Sequence, residues 1–415
     1  MLDQHLHFNY KDIFLAPRLG LSPKKIWIFT LGNLSGYIFY WVFSFIALII
    51  SGINISDAIY DFGLYPFLSG QSYSYASWVI YYLGILFWFF SLLLSSSAVS
   101  SLTIKQLNGD NFYSVNDAID DTMKRWKTIL FSPVTLLIII LSLILIGSVF
   151  ALLGKIPFIG SILTSLLFPI YFLGAIFLVF SILVFFSSFL ILPALTGAHN
   201  EDTIGSVFHS YQILFNQPWR LITYNFLLIP IIVFSMKIFS WFYESSFNLI
   251  NVIFEEIIGK SYSNIMSYAS SILNIDFVIN NNNNIFQALT LNIENISLEF
   301  LDFLFLFFDQ LLNILLAILP SLILSSNGGY ISSIEIFSGI ILSGFLIFLY
   351  LSFFSFGFSI LSVGQTIIFI IFKKLMEDEN LLKSNHNNND KTIEIDSSAI
   401  TDSSAKILGL SSEEE

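Results

Sequence analysis

Cysteine is absent from all 415 residues, which excludes disulfides and thiolate metal sites. Histidine is scarce: five occur. His5 and His7 stand two apart, on different faces of any helix, and His199 and His209 flank a polar stretch, so neither pair has ligand spacing. No HExxH helix, no GxxxxGK[ST] phosphate loop and no GxSxG nucleophile elbow occurs. The carboxylates of "DAIDD" (Asp117, Asp120, Asp121) superficially suggest a magnesium–diphosphate cluster, which needs paired carboxylates to bridge the ions. They fall on the polar side of an amphipathic pattern, where solvation accounts for them. The chain is therefore read as no enzyme, with no cofactor and no metal. Charge is scarce too, at 11% of residues, and its balance is −12. Nucleic acid is excluded as a partner, since phosphate binding needs clustered Lys and Arg. The N-terminus lacks a charged segment followed by a short apolar one, so no cleavable signal peptide is expected.

What fills the chain instead is hydrocarbon. Hydrophobic residues make up 55%, Phe alone numbers 46, and the mean hydropathy is +0.79. Crossing a hydrocarbon core of roughly 30 Å takes about 20 apolar residues in a helix. Six segments meet that test: Ile26–Ser51, Trp78–Leu102, Thr128–Leu153, Phe168–Leu195, Leu221–Tyr243 and Ile336–Phe372. The fold class is all-α, a polytopic transmembrane helical bundle of about six spans in three hairpins. The last segment is too long to cross straight, and is expected to be tilted, kinked near Gly357 or extended beyond the bilayer.

Lys and Arg set the orientation, because they accumulate in cytoplasmic loops. With both termini cytoplasmic, 14 of the 17 basic residues fall inside and only Lys155, Lys237 and Lys260 fall outside or at the outer edge. The chain then divides into an interfacial segment (1–25), five spans (26–243), an Asn-rich outer insert (244–335), the sixth span (336–372) and a tail (373–415). Within the insert, Leu298–Leu324 is apolar enough for a seventh span. Asp302 and Asp309 would lie inside it, at a cost, so it is read as an outer amphipathic helix. The tail is acidic and lacks aromatics, a composition that predicts disorder.

Between the greasy runs lie two polar stretches that resemble each other. At an offset of 92 residues, Asp110 matches Asp202, Ser114 matches Ser206 and Val115 matches Val207. One inserted residue later, Trp126-Lys127 matches Trp219-Arg220. In the first copy Val115, Ile119, Met123 and Trp126 share one helical face and the charged residues take the other. Each copy (about 110–127 and 203–219) reads as an amphipathic helix on the cytoplasmic face, ending in an interfacial Trp beside a cation. Lys24, Lys25 and Trp27 form a looser third copy at the head of the first span. These seven residues are the expected membrane-interface anchors, since Trp suits the headgroup level and Lys or Arg can snorkel to phosphates.

Within the spans, Asn33, Asn225 and Gln365 are the polar side chains that could line a pathway. The same groups equally well hydrogen-bond neighbouring helices. The recurring unit over Asp110–Lys127 and Asp202–Arg220 resembles uncharacterised bacterial multi-pass membrane proteins, and is similar to the membrane domain attached to some glycerophosphodiester phosphodiesterases. No hydrolase portion has a counterpart here. The resemblance implies an accessory role in a bacterial inner (cytoplasmic) membrane and no catalytic residue. The sequence thus points to a structural or accessory component binding membrane lipids, other membrane proteins or itself. The alternative is a permease or channel for a neutral or lipidic solute.

Overall fold

The computed structural model describes residues 6–64, 66, 68, 73–110, 112–156, 159–198, 202–273, 331–377 and 381–382. Every regular element among them is a helix. A 3-10 turn (Tyr10–Leu15) leads into α1 (Ala16–Gly20), α2 (Pro23–Ile50) and α3 (Ile55–Phe62). Then come α4 (Tyr75–Leu107), α5 (Val115–Lys124), α6 (Trp126–Leu153), α7 (Ile159–Ala198) and α8 (Thr203–Asn216). The last three are α9 (Pro218–Ile258), α10 (Lys260–Ile272) and α11 (Ser333–Glu377). Six of them, α2, α4, α6, α7, α9 and α11, are long and apolar enough to cross a membrane. The chain is a multi-pass integral membrane protein of all-α class.

The six spans are the expected ones, but their ends differ. The fifth was expected to stop at Tyr243; α9 runs on to Ile258, because apolar residues continue at helical spacing and no breaker intervenes. It ends at Gly259, whose φ of +72° is open to glycine and strained for other residues. The former insert therefore begins as helix, with α10 following at once. The last span runs through Gly357 without a break in the helix. It is one helix of 45 residues, about 67 Å at 1.5 Å per residue, longer than a bilayer is thick at ordinary tilt. Leu298–Leu324 and the tail beyond Leu382 lie outside the described residues.

Three hairpins, α2/α4, α6/α7 and α9/α11, build the bundle. Their second helices, α4, α7 and α11, touch pairwise at its centre, and α2 also lies along α11. The end at which α2 begins carries most of the cations and is called the basic end below. There the six residues of α11 from Ile367 to Phe372 are buried on every side. By contrast, the halves of α6 and α7 remote from this end present Ile144, Leu145, Leu166 and Phe172 outward, as expected of surfaces solvated by lipid.

The short elements follow a rule. α5 packs on α4 and α2, the hairpin before it; α8 packs on α6 and α7, the hairpin before it. The 3-10 turn and α1 come before all three hairpins, and pack on α11 and α9, the last one. The first segment thus closes a ring. Their starts are capped in different ways. Ser114 caps α5 in a capping box with Asp117, and Asp202 caps α8 by accepting from Gly205 N at 2.7 Å. Asp110, the counterpart of Asp202 in sequence, instead accepts from Phe112 N and Tyr113 N and forms a turn. α8 also runs along the hairpin rather than across its end. Tyr211 stacks on Phe177 and donates to Ser181 Oγ at 2.9 Å, seventeen residues before the end of α7.

Candidate functional site

The three central helices meet through small and hydroxylated residues. Ala98-Val99-Ser100 on α4, Ala194-Leu195-Thr196 on α7 and Gly364-Gln365-Thr366 on α11 share a small-x-Ser/Thr pattern. Small residues let helix backbones approach closely in lipid, where packing and hydrogen bonds replace the hydrophobic drive. The Ser97 and Thr196 hydroxyls lie 2.9 Å apart. Thr366 Oγ1 donates to Ser100 Oγ at 2.9 Å, and Ser362 Oγ donates to the Ser96 carbonyl at 2.9 Å. Ser101 Oγ donates to the Gly197 carbonyl at 3.2 Å. A Cβ on Gly197 would stand 2.7 Å from Ser100 Cβ and 2.9 Å from Ser101 N, so only glycine permits this crossing. The sequence does display the serine run of α4, but its partners lie some 100 and 260 residues away; the shared small-x-Ser/Thr spacing was the signal available.

The three residues set apart as a possible pathway all sit against this frame. Asn33 is buried on α2, donates to Ser355 Oγ at 2.9 Å and accepts from Trp88 Nε1 at 3.2 Å. It joins α2, α4 and α11. Gln365 Nε2 donates to Asn225 Oδ1, tying α11 to α9, and Asn225 donates to the Leu221 carbonyl one turn back. Asn33 and the Asn225–Gln365 pair are not in contact with each other by any of these bonds. Each satisfies its amide on a neighbour, as a buried polar group in hydrocarbon must.

The anchors divide. Trp27, Trp126 and Trp219 are exposed (49%, 37% and 76%), as are Lys24, Lys127 and Arg220. Lys25 is fully buried, and its Nζ donates to the Leu19 carbonyl at 3.1 Å. It closes the last turn of α1, where a cation is favoured by exposed carbonyls, and so fastens the N-terminal segment. Arg125, one residue before the α6 helix, plays a similar part and donates to the Thr196 carbonyl on α7. Tyr113 is a junction that sequence reasoning passed over. Lys24 Nζ donates to its carbonyl at 3.2 Å, Lys105 Nζ lies 5.9 Å above its ring, and its hydroxyl donates to Asp121 at 2.7 Å. Burial, then the Asp121 carboxylate, pushes the Tyr113 phenol above its ordinary value. Hydrogen bonds from Lys124 and then Tyr113 hold the Asp121 carboxyl below its ordinary range.

What this arrangement can do is hold helices together and present cations and indoles at one end. Comparison of the chain with known protein families, with curated proteins and with solved structures finds no match.

Proposed function

We propose that the protein is a structural or accessory membrane component, without enzymatic activity, that holds lipid or partner proteins at its basic end. One observation carries this reading: the side chains a pathway would need, Asn33, Asn225 and Gln365, are committed to bonds between helices. A permeation route would want such groups turned toward a cavity. The basic end, with Lys24, Lys127, Arg220 and the three exposed indoles, takes the cytoplasmic leaflet, where each cation near anionic headgroups contributes about 1 kcal/mol. The three hairpins with their short segments read as copies of one unit, both termini inside.

The deciding experiment is native mass spectrometry of the full chain extracted gently from its own membrane. A stoichiometric second polypeptide, or a retained lipid, is the expected result. A bare protein whose reconstituted vesicles pass a neutral solute would replace this reading with the permease. Topology is tested separately on the cysteine-free chain by labelling Phe112→Cys and Ile204→Cys, exposed residues at the same offset of 92 just before and at the start of the two short helices. Both should react from the cytoplasmic side; labelling from opposite sides would break the repeat.

A further inference from the structure

A second feature of the basic end lies beside the meeting of the three central helices. A cavity of about 380 Å³ separates α2, α4 and α5. That is within the range of small-molecule sites, roughly 300–1,000 Å³. Leu31 and Ser35 line it from α2, Ser91 and Leu94 from α4, and Ile119 and Met123 from α5. Leu31, Ser35 and Met123 are exposed, so the groove is continuous with the lipid-facing surface of the two spans. Its floor is polar: the Ser35 and Ser91 hydroxyls lie 2.9 Å apart, and both reach the Gly32 carbonyl, at 3.0 and 2.8 Å. Lys24 stands eleven residues before Ser35 on α2, within about 20° of the same face and roughly 16 Å nearer the basic end. Its Nζ donates to the Tyr113 carbonyl at 3.2 Å, which holds this cation beside the segment that leads into α5. The groove therefore has a cationic foot and apolar walls.

We propose that this groove holds one acyl chain of an anionic glycerophospholipid, with the phosphate beside Lys24 and the chain passing Leu31 toward Ser35. The proposal rests on the lipid-binding half of the function proposed above and names the lipid class. A partner helix is the weaker fit, since it needs about 10 Å of clear width and α5 already lies over the groove. A single chain needs far less, and the flexible Met123 side chain can move over it.

The test is native mass spectrometry of the full chain after exchange into phosphatidylglycerol or phosphatidylcholine. Wild type should keep one phosphatidylglycerol after other lipid is stripped. Leu31→Trp, which fills the groove, should lose it, and Ile144→Trp, on the exposed face of α6, should keep it. Lys24→Gln should retain binding but cut the preference for the anionic lipid about fivefold. A diazirine-bearing acyl chain should mark the peptide holding Ile119 and Met123 in wild type, a readout independent of how Leu31→Trp folds. Lipid kept unchanged by Leu31→Trp, or label placed elsewhere, overturns the site and leaves lipid binding standing. Wild type that keeps no lipid overturns both.

Discussion

Ser97 of α4 and Thr196 of α7, 99 residues apart in the chain, place their hydroxyls 2.9 Å from each other. The contact is possible because the next residue on α7 is Gly197. Replacing it with Leu forces atoms into Ser100 and the Ser101 backbone, which cannot yield as a flexible side chain would. Overpacking of this kind costs about 1–3 kcal/mol. Thermal unfolding of Gly197→Leu in mild detergent should show a clear fall in Tm, while Gly147→Leu, whose added Cβ meets nothing within 4 Å, should not.

Asn225 and Gln365 should behave as one unit. Changing either to Leu strands the other amide inside the bundle, at about 1–3 kcal/mol. The double change strands neither, so its loss should fall short of the summed single losses, by roughly 0.6–1.7 kcal/mol of coupling. A double-mutant cycle by denaturant unfolding in bicelles measures it. Additive losses would mean that the pair is not bonded, and the pathway reading would regain ground.

Lys25 should matter through its donor, not its exposure. Lys25→Met keeps the bulk but leaves the Leu19 carbonyl without that bond, a loss of about 1–3 kcal/mol concentrated at α1. Limited proteolysis should then cut near Arg18 faster, with the spans unaffected. Lys24→Met, on the exposed side, should leave that cut unchanged.

The Tyr113–Asp121–Lys124 cluster on α5 should respond to acid. The folded-state pKa of Asp121 is depressed by Lys124 and Tyr113, so its contribution is present above the ordinary carboxylate range and is lost as pH falls through the lowered value. Amide exchange over Val115–Lys124 should quicken only below that range. Asp121→Asn should quicken it at neutral pH and flatten the dependence.

Much of this was legible from composition and period. Six spans follow from apolar runs alone, since a bilayer demands length and hydrocarbon and little else. Of the expected anchors, Trp27, Trp126, Trp219, Lys24, Lys127 and Arg220 are exposed side chains. Lys25 was not legible: an anchor and a buried lysine look alike until the segment covering it is known. Nor was the meeting of the three central helices, because Ser100, Thr196 and Thr366 gain meaning only there. The end of α9 was missed because hydropathy marks where lipid must be, not where a helix stops.

The ring closed by the N-terminal segment has a consequence for how the protein is made. The Gly20 carbonyl accepts from Ser359 Oγ, a bond spanning 339 residues. The segment before the first of the six spans therefore gains its docking site only once the last of them has been inserted. Until then the first two hairpins sit in the membrane with α1 unseated, and the bundle closes when the segment before α2 meets α11.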